Sequence, residues 1–387
     1  MFVSFGGTWL QIETLKWLVK ETTNSAEQVG MISFLSFLPV FLLSIFGGVL
    51  VDRFDKKHVL YCTQLASMVQ ASILSYLTFH HKATLGELKL LVLLMGLINA
   101  IDGPARHSLL MFTTKSVRSA SAINTSLVMA GQAIGGVLTG YLVPRINFSG
   151  AFMVNAVSFI PVFMTLWLIK TKSVTNEQKP HPIRAVKEGW HYLWNRKTML
   201  AQIMLIGILS ALGFSYRAIM PIIASSNFHT GAVGFGMLSA AVGVGAFVSS
   251  VFNSANSKKL AVDEILFRAC VFFGLIVLGT SLIVMMGSHS IVSGVLFCTL
   301  AGLGATLASS VLRGAVLDSL SSGVRGRIMG FFQTFFVGGI SFGSWTAGRA
   351  AENFGSARTV IAVGCLTLTV AGIAFIFRKQ VVVHVHE

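Results

Sequence analysis

Charge is scarce in this 387-residue sequence: Asp, Glu, Lys and Arg together make up only 11% of it. A soluble protein of that size needs about 25% charged residues to cover its surface, so a soluble globular fold is excluded. Acid is scarcer than base, with 14 Asp and Glu against 29 Lys and Arg. Cysteine is rarer still. Cys62, Cys270, Cys298 and Cys365 stand far apart in apolar runs, a spacing that no metal centre uses, and they read as small buried hydrophobes. No Gly-x-x-x-x-Gly-Lys-Ser/Thr run occurs, so ATP is not expected to supply the energy. No nucleophile–base pair or metal cluster stands out either. His80, His81, His384 and His386 fall in a loop and a tail, so no enzyme, no cofactor and no metal are expected. Nothing basic precedes the first apolar run and no small-residue cleavage site follows it, so no cleavable signal peptide is expected.

Apolar length is what the sequence has instead. It is 54% hydrophobic, with 30 Phe and 38 Gly and a mean hydropathy of +0.76. Stretches of about 20 apolar residues recur, the length that crosses the hydrocarbon core as a helix. No alternating pattern suggests a barrel. Twelve spans are expected, near 1–20, 29–51, 58–79, 87–107, 119–143, 151–169, 198–221, 231–254, 264–286, 290–313, 326–348 and 358–377. With both termini cytoplasmic, this division puts 21 of the 29 Lys and Arg at cytoplasmic ends and 8 elsewhere. That bias follows the positive-inside rule. The net charge of +15 therefore orients helices, and no nucleic-acid partner is expected.

The longest polar segment, 170–197, divides the chain. Pro180 and Pro182 break its first part. In its second part Ile183, Val186, Trp190, Leu193 and Trp194 recur at helical spacing beside Arg184, Lys187, Arg196 and Lys197, the pattern of a helix lying on the inner membrane surface or of a solvated linker helix. A shift of 207 positions superposes Arg106 on Arg313, Leu110 on Leu317, Arg118 on Arg325, Gly131 on Gly338 and Gly136 on Gly343. Two parallel six-helix halves would align in this way, as in transporters. The expected organisation is a first bundle over 1–170, a cytoplasmic linker over 171–197, a second bundle over 198–378 and a cytoplasmic tail over 379–387.

One short stretch interrupts this apolar chain with charges of both signs: "GGVLVDRFDKK", Gly47 to Lys57. Gly48, Asp52, Arg53, Lys56 and Lys57 match the Gly-x-x-x-Asp-Arg-x-x-basic-basic loop between helices two and three of the major facilitator superfamily, which the chain therefore resembles. "NAIDGPARHSLL" (99–110) and "VRGRIMG" (324–330) are similar to the branch that holds the bacterial enterobactin exporter and macrolide efflux proteins. So are "GGTWLQ" near the start and "SFLPVFLLSIFGGVL" in helix two. Helix one begins nearer its Gly-Thr-Trp motif than that branch has it, as though its first part were missing. The Gly-rich fifth helix carries Gly131, Gly135, Gly136 and Gly140 without the Gly-Pro of proton antiporters.

The resemblance implies an all-α membrane protein of twelve transmembrane helices in two pseudo-symmetric bundles. It implies a cytoplasmic gate of Gly48, Asp52, Arg53, Lys56 and Lys57. Asp102 and Arg106, four apart near the inner end of span four, read as part of a gating network with Asp52 in preference to a substrate site, and Arg313, Asp318 and Arg325 mirror them in the second half. Ionisable groups inside spans are costly and often functional. Glu13 and Lys16, three apart, share a helix face as an ion pair or as a proton or substrate site. Arg217 either snorkels to the outer surface or attracts an anion. Helices one and five line the cavity in this superfamily, so Gln11, Glu13, Asn124 and Gln132 are the expected lining. The function implied is secondary active export of a small amphipathic molecule, siderophore or drug, across the bacterial plasma membrane. It would run by alternating access, coupled to protons through Glu13 or Asp102. Expected partners are that substrate, protons and membrane lipids, and the expected state is a monomer. A lysophospholipid flippase and a non-transporting membrane sensor are the alternatives.

Overall fold

The computed structural model describes residues 2–113, 117–168, 182–256, 274–275, 290–320 and 322–376, with the side chains of some helical positions, 44–53 and 318 among them, outside that description. Thirteen helices and no strand appear among the described residues. In the first half these are α1 (Phe2–Thr23), α2 (Ala26–Arg53), α3 (Lys56–Phe79), α4 (Leu85–Thr113), α5 (Val117–Ser158) and α6 (Ile160–Leu168). Then come α7 (Pro182–Trp194), α8 (Lys197–Ser215), α9 (Met220–Ser226), α10 (Ala232–Asn256), α11 (Ile291–Asp318), α12 (Ser322–Phe354) and α13 (Ser356–Ile376). Among the described residues, six helical stretches are long and apolar enough to cross a membrane: 26–43, 124–168, 197–226, 232–252, 291–317 and 356–374. The ninth expected span, 264–286, lies outside the described residues except for 274–275.

Local chemistry sets the ends of these helices. Asp55 caps α3, its carboxylate accepting from the backbone N–H of Lys57 at 2.8 Å and of His58 at 3.2 Å. Thr84 and Glu87 form a reciprocal capping box at the start of α4. Gly355, at φ +87°, turns the chain between α12 and α13 in a single residue. Within α5, Asn147 at φ 60° interrupts the helix, so the segments expected as spans five and six meet at a bend with no intervening loop. The segment expected as span seven is broken: α8 stops at Ser215 and α9 restarts at Met220, with Pro221 in its first turn.

The amphipathic segment of the linker is the helix α7. Its Leu193 is buried in the core of the second half, with Met199, Ile203 and Phe332. Trp190 packs against Phe331 at 6.0 Å between ring centroids, and Glu188 pairs with Arg327 at 3.0 Å. The apolar face of α7 is thus spent partly on α12.

The largest core cluster joins the two halves. Leu10, Trp17, Ala26, Val143 and Ala151 of the first half pack with Tyr216, Ile219, Phe235, Leu238 and Ala347 of the second. Trp17 and Phe235 stack at 5.5 Å across that junction. Two helix pairs carry it, α5 against α10 and α2 against α12. Small residues let these backbones approach. A Cβ at Gly236 would stand 2.6 Å from the Cα of Gly140. One at Gly30 would stand 2.8 Å from the Cα of Gly348. At one end of the α2–α12 pair, the Glu352 carboxylate accepts from Ser25 Oγ at 3.1 Å and from the backbone N–H of Ala26 at 2.7 Å and of Glu27 at 3.3 Å. A carboxylate of the second half thus caps a helix of the first, where the helix dipole favours negative charge.

Candidate functional site

Trp9, Glu13 and Lys16 follow one another at helical spacings of four and three residues, so they form one stripe on α1. They occupy its middle third. Glu13 and Lys16 are both buried, and the Lys16 ammonium stands 3.2 Å from each carboxylate oxygen of Glu13. Burying both charges is tolerable because each is the other's partner. The third charge comes from the second half. The break between α8 and α9 places Arg217 so that its guanidinium lies 5.5 Å from the ring centre of Trp9 and 5.6 Å from that of Phe214. It interacts electrostatically with both Glu13 and Lys16. Among the described residues the Arg217 guanidinium has no hydrogen-bond acceptor and no ion pair closer than 4 Å. The cluster therefore contains two cations and one carboxylate.

Gln132 lies in the same layer. Its neighbours on α5, Gly131 and Gly135, lie against Phe5 and Trp9 of α1. Gln132 is 1% exposed, and neither its amide oxygen nor its nitrogen has a partner among the described residues. Asn124 is half-buried two turns earlier on α5. Gln11 lies elsewhere. It donates to Gln70 at 2.9 Å and to the Met95 sulfur at 3.3 Å, and it accepts from Asn155 at 2.7 Å. Its whole amide is engaged inside the first bundle.

A second charged group sits toward the start of α1. Arg106 pairs with Asp102 one turn away on α4, donates to Ser4 Oγ at 3.1 Å and lies over the Phe5 ring at 4.7 Å. Asp102 also accepts from Thr63 at 2.7 Å and Gln64 at 2.6 Å. The network ties α1, α3 and α4 together. Asp52, Arg53 and Gly48 belong to the last turns of α2, and their side chains lie outside the described residues. Lys56 and Lys57 open α3, with Lys57 6.0 Å from the Tyr61 ring.

In the second half Arg313 donates to the side-chain amide oxygen of Gln333 at 3.3 Å and lies over Phe332 at 5.4 Å. Arg325 donates to the Leu320 carbonyl at 3.1 Å. Asp318 ends α11, and its side chain lies outside the described residues. Four contributors were not singled out from sequence, Phe214, Thr63, Gln64 and Asp55, and Trp9 appeared there only as part of the Gly-Thr-Trp motif. For Asp55 a signal existed, an acidic residue directly before a helical run. Burial pushes its carboxyl up, but the N–H bonds from His58 and Lys57, with the His58 ring, outweigh that and hold it below the usual carboxylate value. Trp9 stood in the Gly-Thr-Trp motif, but nothing in the sequence tied it to Arg217, and for Phe214 there was no signal, because aromatics fill the whole chain.

The model of the transmembrane secretion effector family, a branch of the major facilitator superfamily, matches residues 1–385. The staphyloferrin A transporter of Staphylococcus aureus is 22% identical over 393 residues, covering 100% of this chain and 96% of its own. An enterobactin exporter of Citrobacter koseri is 23% identical, covering 73% of this chain and 70% of its own. In fold the chain is similar to a POT family transporter solved with 5-aminolevulinic acid, at TM-score 0.75 and 13% identity over 98% of this chain and 95% of that one. A whole-chain family match, an all-helical fold of this type and membrane-spanning helices agree: the chain belongs to the transmembrane secretion effectors of the major facilitator superfamily, and is a multi-pass membrane transporter and not an enzyme.

Proposed function

We propose that this chain is a secondary active exporter of a small amphipathic molecule of the siderophore or drug-like kind, working as a monomer in the bacterial plasma membrane. The observation that carries this is the charged cluster of Glu13, Lys16 and Arg217. It lies mid-helix at the junction of the two halves, where ionisable groups are costly unless used. The staphyloferrin and enterobactin relatives support the cargo class. With both termini cytoplasmic, the Ser25–Glu352 contact closes the outer end, and the two halves rock about the cluster to expose it to each side in turn. The Asp52 loop and the Arg106 and Arg313 groups form the inner gate.

Glu13 is the proton carrier in this scheme. Protonation removes the negative charge that holds Lys16 and changes the net charge of the site by one. Asp102 suits that role less well, because three donors from α3 and α4 converge on it. The test is a mass-spectrometric comparison of medium, cell extract and lipids from cells with and without the protein. Release of a soluble metabolite that stops when a protonophore is added is the expected result. A change confined to lysophospholipids would overturn export, and release indifferent to the protonophore would overturn proton coupling.

A further inference from the structure

Arg217 differs from every other buried charge described above. Lys16 has Glu13, Arg106 has Asp102 and Ser4, Arg313 has the Gln333 oxygen, and Arg325 has a carbonyl. Among the described residues the Arg217 guanidinium has the faces of Trp9 and Phe214 and no hydrogen-bond acceptor or ion pair. Ring faces attract a cation, but they leave the five N–H donors of a guanidinium unsatisfied. Taking such donors from water without an acceptor is costly. Arg217 is half-buried, so part of its surface stays uncovered by protein. Glu13 attracts Arg217 without forming an ion pair with it, while the Lys16 ammonium lies against both Glu13 oxygens.

We propose that Arg217 is the anion-binding subsite of the substrate path, taking a carboxylate of the transported molecule on its planar fork while the Trp9 and Phe214 faces hold the flat or apolar part beside it. A carboxylate matches the guanidinium geometry in a bidentate way, which a lysine ammonium does not. Gln132 of α5, whose buried amide has no partner among the described residues, supplies a donor and an acceptor to the polar remainder of the same molecule. The subsite lies between a residue of the first half and a residue of the second, so an occupied carboxylate bridges the halves. The inference deepens the export reading above and names its substrate class: organic acids with at least one ionised carboxylate.

Binding is tested separately from transport, on purified full-length protein in lipid nanodiscs. The probes are benzoate, phthalate and propane-1,2,3-tricarboxylate, each against its neutral amide at constant ionic strength, read by calorimetry and by thermal unfolding. At least one acid is expected to bind roughly ten- to a hundredfold more tightly than its amide, the range for hydrogen bonds to charged groups. Arg217→Gln is expected to abolish that preference, and Arg217→Lys to keep part of it. Retention of the folded fraction in both variants is checked by the unfolding curves. Absence of any acid-over-amide preference across the panel overturns the inference, and so does a preference that survives in Arg217→Gln. If acids bind through Arg217 but no metabolite is exported, the subsite stands and the export reading fails. If export proceeds unchanged in Arg217→Gln, the reverse holds.

Discussion

Arg106 and Arg217 are two arginines within the helical core, and each lies over an aromatic ring of α1, Phe5 in one case and Trp9 in the other. They differ in what meets the guanidinium. Arg106 has a carboxylate on its own helix and a serine on another, and that carboxylate is itself held by Thr63 and Gln64. Arg217 has neither carboxylate nor carbonyl among the described residues. The first arrangement is closed, and adding a ligand would cost one of its bonds. The second is open, and a ligand completes it. Burial alone does not separate a packing arginine from a binding one; the count of acceptors does.

The comparison can be broken most forcefully at Asp102. Asp102→Ala leaves the Arg106 guanidinium without its counter-charge in an apolar bundle, and removing one partner of a buried pair costs about 3–5 kcal/mol. Loss of folded, monodisperse protein is expected in detergent. The double variant Asp102→Leu with Arg106→Met should recover most of the thermal stability, because no unpaired charge then remains.

Arg217→Gln should separate from this completely. It removes a charge that has no ion pair or hydrogen-bond acceptor among the described residues, so the unfolding temperature is expected to hold or rise while export falls at least about tenfold. A fall in stability like that of Asp102→Ala would make the two arginines equivalent.

Closer to the junction, Gly30→Val puts side-chain atoms where a Cβ already meets the Gly348 Cα at 2.8 Å. Overpacking of this kind costs about 1–3 kcal/mol. Spin labels on α2 and α12 should report the helices further apart in this variant.

The smallest effect is expected at Asp55, whose cap on α3 is worth about 0.5–2 kcal/mol when replaced by Ala and less when replaced by Asn. Its carboxyl is held below the usual value. The cap therefore contributes fully above the unfolded pKa of about 3.9 and is lost as pH falls through the lower folded value. The stability difference between Asp55→Ala and the native chain should be constant at neutral pH and shrink only in strong acid.

The fold was legible because apolar length and scarce charge leave few alternatives. Helix ends such as 79 in α3 lie where the apolar runs stop. The bend at Asn147 was not legible, since an asparagine at positive φ looks like any polar residue between two apolar runs. Glu13, Lys16, Arg106 and Arg217 stood out because ionisable groups are rare in such segments. Their pairings were only partly readable. Glu13 with Lys16 and Asp102 with Arg106 are local in sequence, three and four residues apart. The approach of Arg217 to Trp9 spans the two halves and needs the tertiary structure. Gln11 and Gln132 look alike in the sequence, yet one has its whole amide engaged and the other has no partner among the described residues. That difference depends on which helix each side chain faces, and no residue spacing encodes it.

The most direct test of the account is the initial rate of export in membrane vesicles containing native protein or Arg217→Gln at equal folded content. A rate at least about tenfold lower in the variant, with an unfolding temperature that holds or rises, is the result the account requires. Equal rates would contradict it and return Arg217 to the same structural role as Arg106.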